Sequence, residues 1–522
     1  MSESMDGSSA DIVGSGGIRA MVARSGIWGL TGSLAALAAS FVVTPFIIRL
    51  LGPASYGVWA LLESMLSYLI LADLGMAAAS TKFAGDCYNK GDGEGEATAI
   101  WTSAVITVVV TALCALAVIF AAPFLVTTAL HVPRHLIQPS VLAVRIIAVA
   151  SVVGSMAGTM NTPQTVRLRW GVLTLSLSGP VVAATVATPV ILFLTSGGVV
   201  VMAVVAVAAA AVTAAANLLI AVRLQPGLLR PRFRRNLVSP LLRYGGGLTI
   251  SGLASIPLAS AERFLLAHNH STTVVAYYAV AMSVGSVLAV IASAVAKPMF
   301  PAFVRLHAAG AHKDLRRLYQ QAQQGIFLIV TPTAILMIFL AEPFLRLWAG
   351  PQYAEHSTFP LFVIVVGVSM NTLAMVPYTY LVASGRTSFV AKIHLLELLP
   401  YLAAAMVLTA KFGALGAALA WSSRMALDTL IFVVTCKRHG GLPWAPTSTR
   451  ILVGLLVPAG LIASTALLST FTSSLVVRSA CATALLLVYV GVVWTLVLTA
   501  PERSGMRSLA SQLLTRGRQV DI

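Results

Sequence analysis

Apolar runs follow one another along almost the whole chain, separated by short polar links. They lie at about 26–48, 55–79, 98–121, 141–161, 171–194, 198–221, 245–267, 274–299, 325–345, 358–383, 390–410, 412–435, 451–470 and 479–499. A helix of about 20 apolar residues crosses a hydrocarbon core about 30 Å thick, so the pattern predicts fourteen membrane-spanning helices. The short alternating segments of a membrane β-barrel are absent. The shortest link, Thr195 to Gly197, reads as a tight hairpin, and Arg145 and Pro400 interrupt the fourth and eleventh runs. The expected fold is an all-α polytopic membrane protein.

The polar links suggest how the spans are grouped. The longest, residues 223–246 (RLQPGLLRPRFRRNLVSPLLRYGG), carries six arginines and three prolines and follows the sixth span. Another basic link, Lys437 to Arg450, follows the twelfth. A faint repeat sets RLLGPASYGVWA at 49–60 against RFLLAHNHSTTVVAYYAVA at 263–281: an arginine at a helix end, a short loop, then aromatic and small residues. The grouping predicts a tail (1–25), a six-span lobe (26–222), a basic linker (223–244), a second six-span lobe (245–435), a loop with two further spans (436–500) and a final tail (501–522). Paired repeats of this kind commonly enclose a central lumen near the bilayer midplane.

Composition agrees with the pattern. Of 522 residues 58% are hydrophobic and 10% charged, with mean hydropathy +0.90, whereas soluble domains carry about 25% charged residues. The net charge of +17 is a matter of sidedness. With the N-terminus in the cytoplasm, 26 of the 34 basic residues fall on inner links and tails, and six (Arg49, Arg134, Arg263, Arg346, Lys411, Arg478) on the outer side. This bias follows the positive-inside rule and places both termini in the cytoplasm, so the basic links need no nucleic-acid partner. About 25 largely polar residues precede a first span too long for a signal peptide. The four cysteines have no CxxC spacing, which argues against disulfides and a zinc site. No Walker A motif is present.

The polar residues inside the spans are the candidates for chemistry. A charge at the centre of a membrane helix costs roughly 2.5–3.5 kcal/mol and normally faces a cavity or a partner. Glu63 and Asp73 share the second span with no basic residue between them. Ten residues of helix separate them by about 15 Å and turn them about 80° apart, so both can line one broad wall without meeting one small ligand. Arg49, Arg145, Arg263 and Arg424 are candidate partners, and Tyr56 and Trp59 mark the outer interface. Arg424 and Asp428 are one turn apart on the twelfth span, and His394 and Glu397 are three apart on the eleventh. Glu262, Arg263, Arg49 and Lys297 lie near span ends. The pairs His268/His270 and His307/His312 sit in loops. No arrangement reads as a catalytic centre, so neither an enzyme activity nor a metal or cofactor is expected.

Four stretches in order carry a family resemblance. RLLGPASYGVWALLESMLSYLILADLGMAAASTKFAG resembles the opening of the oligosaccharide flippases, the Wzx-type polysaccharide transporters of the multidrug/oligosaccharidyl-lipid/polysaccharide exporter superfamily. AERFLLAHNHSTTVVAYYAVAMSVG (261–285) is similar to the start of their second half, with Glu262-Arg263 where Asp-Arg is usual. KPMFPAFVRLHAAG (297–310) and EPFLRLWAGPQYA (342–354) resemble an inner and an outer turn. The resemblance covers roughly residues 20–435.

It implies twelve to fourteen helices in two lobes facing a lumen. The implied activity is translocation of polyprenyl-diphosphate-linked oligosaccharides across the cytoplasmic membrane by rocker-switch alternating access. Arg49, Arg145, Arg263, Lys297 and Arg424 are then the lumen cations for an anionic head. Glu63, Asp73, Glu262, Glu397 and Asp428 are the acids available to couple H+ or Na+. Other implied partners are the lipid bilayer, a polysaccharide polymerase and glycosyltransferases. Alternatives are a lipid II flippase, a multidrug/cation antiporter and a membrane scaffold for glycan assembly. An antiporter for cations would favour an acidic cavity with few arginines, which this chain does not offer.

Overall fold

The computed structural model describes residues 15–70, 73–440, 442 and 475–497. Among these, every regular element is helical, and nine helical stretches are long and apolar enough to cross a membrane. The elements are α1 (Ser15–Ile70), α2 (Met76–Asn89), α3 (Gly93–Phe124), α4 (Ile137–Met160), α5 (Thr162–Val166), α6 (Trp170–Thr195), α7 (Gly198–Leu224), α8 (Arg235–Asn269), α9 (Thr272–Gly285), α10 (Val287–Ala308), α11 (His312–Trp348), α12 (Pro351–Ala383), α13 (Thr387–Gly440) and α14 (Leu475–Val492). The chain is thus a multi-pass helical membrane protein. The expected span 451–470 lies outside the described residues.

Two pairs of expected spans are joined by a single glycine. In α1 the helix breaks only at Gly52, with φ 75° and ψ 165°. Side-chain-bearing residues avoid that region, and Pro53 suits the start of the next arm because its missing N–H has no helical partner there. In α13 the break is Gly413, φ 55° and ψ −131°. The second span, expected as one helix over 55–79, is instead interrupted. Its helix ends at Ile70, and a turn at Asp73–Gly75 with left-handed Leu74 and Gly75 precedes α2. The start of α3 shows the opposite economy: Asp92 accepts the Gly95 N–H at 2.8 Å, and Glu94 and Glu96 occupy the first turn, where acids complement the helix dipole.

Packing divides the described residues into two compact units. The first takes in residues up to 284, with 348–360 and 387–424; the second takes in 285–347, 361–386 and the described residues beyond 424. Within the first unit α4 packs on α3 and α7, and α1 packs on α6. Lipid tails are as apolar as leucine, so such contacts rely on close fit and interhelical hydrogen bonds, averaging about 0.6 kcal/mol each. A buried polar seam supplies them: Thr111–Ser155 at 3.1 Å, Thr162–Ser80 at 2.9 Å and Ser176–Asn217 at 3.0 Å. Large apolar side chains such as Phe120 and Phe193 face outward, as lipid-facing positions require. In the second unit Phe303, Tyr319 and Tyr380 form an aromatic cluster.

Candidate functional site

The first unit gathers ionisable groups from the second arm of α1, from α8 and α9, and from both arms of α13. Glu262 and Arg263 are neighbours on α8, so their side chains diverge by about 100° and serve different faces. Glu262 is fully buried and accepts hydrogen bonds from Tyr278 on α9 at 3.0 Å and Tyr401 on α13 at 2.5 Å. Hydrogen bonds from these two hydroxyls satisfy the buried carboxyl group and compensate part of the cost of burying it. Leu258, Ala261, Tyr401, Ala405 and Ala420 form a buried cluster between α8 and α13.

Arg263 turns toward α1. Its Nη1 donates to Ser64 Oγ at 3.1 Å, while its buried Nε has no hydrogen-bond partner. Glu63, adjacent to Ser64, is an electrostatic neighbour of Arg263. Its Oε1 accepts the Trp59 indole N–H at 3.0 Å. Glu63 itself is exposed. Below it, Ser260 donates to Tyr68 at 3.4 Å. The third node is Arg424, whose Nη1 donates to the Leu258 carbonyl at 3.0 Å and whose Nε lies 3.8 Å from Glu397 Oε2. Three carboxylates and two guanidinium groups from four expected spans, plus tyrosines from three helices, thus share one unit.

Not every expected site residue belongs to this cluster. Asp73 sits at the helix break, where its Oδ1 accepts the Gly75 N–H at 2.7 Å; it shapes the entry to α2 and is not a mid-helix acid. Arg145 is exposed on α4 in line with the exposed Leu142 and Val149, and its Nε points at the Ile119 carbonyl at 3.4 Å, the posture of a side chain on an apolar face. Arg49 is exposed beside the Gly52 break. Lys297 lies on α10, and Asp428 is buried on α13 in the second unit. Glu397 lies beside Arg424, a neighbour from the other arm of α13. His268 Nδ1 lies 3.2 Å from the Ala129 carbonyl and His270 Nε2 2.7 Å from that of Thr409, so backbone oxygens hold both rings.

Sequence reasoning missed Tyr278 and Tyr401, which are ordinary tyrosines in apolar runs until the helices meet. Trp59, expected only as an interfacial marker, is the hydrogen-bond donor to Glu63. A second ion pair was also missed: Arg167 holds buried Glu96 in a two-pronged bridge, at 2.5 and 3.0 Å, and its guanidinium covers the Tyr88 ring at 4.6 Å. The acidic GDGEGE start of α3 was the available signal.

The class of fold is that of helical membrane transporters. Solved structures share the fold. A lipid II flippase MurJ in an inward closed conformation aligns with a TM-score of 0.67 over 90% of this chain and 98% of its own, at 11% identity. An inward-facing multidrug resistance MATE family transporter of the MOP superfamily aligns at 0.63 over 85% and 96%, at 14% identity. A point mutant of the Vibrio cholerae MATE transporter VcmN aligns at 0.58 over 80% and 96%, at 17% identity. The particular family follows from sequence: residues 46–358 match the profile described as "Polysaccharide biosynthesis protein", and the chain belongs to that family. A Shigella flexneri protein named "Putative O-antigen transporter" is 32% identical over 191 residues, 37% of this chain and 45% of the relative. The match therefore spans less than half of that relative's length.

Proposed function

We propose that the protein moves polyprenyl-diphosphate-linked oligosaccharide units across the cytoplasmic membrane for surface polysaccharide assembly. Family membership, the relative named for O-antigen transport and the transporter fold all support this reading. The observation that carries it is Arg263: an intramembrane guanidinium with an unpartnered Nε beside an accessible carboxylate. An arginine fork suits a diphosphate oxygen pair better than a lysine ammonium does.

In this reading Arg263 alternates between two partners. With Glu63 ionised, the pair is internally neutralised. Protonation of Glu63, or its occupation by Na+, releases Arg263 toward the anionic head. Glu262, Tyr278 and Tyr401 hold the backbone of α8 in register, and Arg424 with Glu397 ties the two arms of α13. The lobes 26–222 and 245–435 rock about the bound head while the polyprenyl tail stays in lipid. Both termini face the cytoplasm, and a polymerase and glycosyltransferases act before and after transport. No step makes or breaks a covalent bond.

The test is flipping of a fluorescent polyprenyl-diphosphate oligosaccharide by the full-length protein in vesicles. Arg263→Ala is expected to lower the rate about tenfold to a hundredfold, the range set by one lost charge-assisted hydrogen bond, and Arg263→Lys to recover part of it. An unchanged rate for Arg263→Ala at equal protein content would remove Arg263 from substrate handling.

A further inference from the structure

The linker between α7 and α8 builds a surface that the transport reading does not use. Its backbone is pinned to the start of α3. Gln225 Nε2 donates to the Gly93 carbonyl at 2.5 Å, and the Trp101 indole donates to the Leu228 carbonyl at 3.0 Å. The Arg234 N–H donates to Thr102 Oγ1 at 3.2 Å, and Leu228 is buried as the anchor. Held this way, the segment cannot fold its own charges inward. Glu94 engages Arg232 at 2.9 Å, whereas Arg230, Arg234, Arg235 and Arg243 are exposed and make no ion pair among the described residues. Lys82 extends the basic face, its ammonium 4.4 Å above the Tyr244 ring.

Apolar groups are interleaved with these charges. Leu229 is 70% exposed and Phe233 56%, so two large apolar side chains stand among the arginines. A groove of about 730 Å³ opens beside Phe233 and the first turns of α8, lined by Phe233, Arg235, Val238, Ser239, Leu242 and Arg243. The seventh apolar run of the sequence, 245–267, begins two residues after Arg243, and we take the groove to stand where lipid headgroups meet hydrocarbon. Cations at headgroup depth flanked by side chains that enter the acyl region form an amphipathic interfacial surface.

We propose that this groove is a binding site for the phosphate headgroup of an anionic phospholipid, with Arg235 and Arg243 on the phosphate and Phe233 and Leu242 against the upper acyl chain. The occupant is a bilayer lipid because the apolar lining accompanies the two arginines; a soluble phosphate would have no use for it. The site fixes the linker and the first turns of α8 against the inner leaflet. The proposal is independent of the transported substrate.

Full-length, delipidated protein in neutral detergent provides the test, by native mass spectrometry with added phosphatidylglycerol or phosphatidylcholine. Wild type is expected to retain phosphatidylglycerol in preference to phosphatidylcholine. Arg235→Ala with Arg243→Ala is expected to weaken phosphatidylglycerol binding about thirtyfold, from the loss of two cations at headgroup depth. Phe233→Ala is expected to weaken both lipids modestly. Arg235→Lys with Arg243→Lys, which preserves charge and controls for folding, is expected to retain most of the binding. Arg305→Ala with Arg316→Ala, two other exposed basic positions, is expected to change nothing. An equal loss in that control pair would reduce the effect to general surface charge and overturn the site. Displacement of phosphatidylglycerol by inorganic pyrophosphate at equal concentration would overturn the lipid assignment in favour of a free diphosphate.

Discussion

At the scale of single residues, Glu63 and Asp73 show how alike two acids look in a sequence and how differently they are used. Both lie in one apolar run. Glu63 is accessible and neighbours Arg263, whereas Asp73 accepts the Gly75 N–H at a turn. Asp73→Asn keeps an acceptor oxygen in the same place and is expected to leave transport and thermal stability nearly unchanged. Asp73→Ala removes it and is expected to cost about 0.5–1.5 kcal/mol. Glu63→Gln removes the titratable group and is expected to abolish the pH dependence of flipping while leaving the amount of folded protein unchanged. A strong transport defect in Asp73→Asn with a silent Glu63→Gln would invert these assignments.

At the scale of elements, the second span meets the seventh at three levels and the first residue of α9 at a fourth. Gly57 meets Thr272, Ser64 meets Arg263, Tyr68 meets Ser260, and Gly75 meets Gly245. The two outermost contacts are backbone on backbone. A Cβ at Gly57 would overlap the Thr272 carbonyl oxygen, and one at Gly75 would lie 2.7 Å from that of Gly245. Gly57→Ala is therefore expected to destabilise the protein by about 1–3 kcal/mol, as overpacking does, read as a lower unfolding midpoint in detergent. Gly52→Ala, whose Cβ would meet open space, is strained by its backbone alone, at φ 75° and ψ 165° a region held almost only by glycine and costing about 1–3 kcal/mol, and provides the comparison without a clash. An unaffected Gly57→Ala midpoint would show that this contact is not close-packed.

For the whole molecule, those contacts bear on which parts move. The proposed lobes part the second span from the seventh, yet one compact unit holds both. Tyr68→Cys with Ser260→Cys, joined by a short cleavable thiol cross-linker in a background without the native cysteines, distinguishes the two divisions. If lobes 26–222 and 245–435 rock, cross-linking is expected to stop flipping and cleavage to restore it. Undiminished flipping would make the packed unit the rigid body. Orientation has its own test. A cysteine at position 234 (Arg234→Cys) and native Cys87 are expected to react with an impermeant maleimide only after the inner face is opened; labelling of either in intact cells would reverse the topology. Burial first, and Asp92 second, raise the Cys87 thiol above its usual range. Its thiolate is scarcer than usual at neutral pH, so its labelling is expected to keep rising with pH after an ordinary thiol has levelled off.

Much of this protein is written in local pattern. Runs of apolar residues specify helices because a backbone in lipid must satisfy its own hydrogen bonds. Gly52 and Gly413 end those helices because only glycine adopts their dihedrals at little cost. The candidate cluster was half legible: Glu63, Glu262, Arg263, Glu397 and Arg424 stand out as charges in apolar runs. Their pairing did not, because a charge in one helix has no local cue to its partner in another. Only the tertiary structure brings Glu397 to Arg424, hands Glu262 to Tyr278 and Tyr401, and sends Arg263 to Ser64 beside Glu63. It also breaks the second span at Asp73 and turns Arg145 outward, because helix contacts set by small residues and backbone approach decide which face of each helix meets protein and which meets lipid.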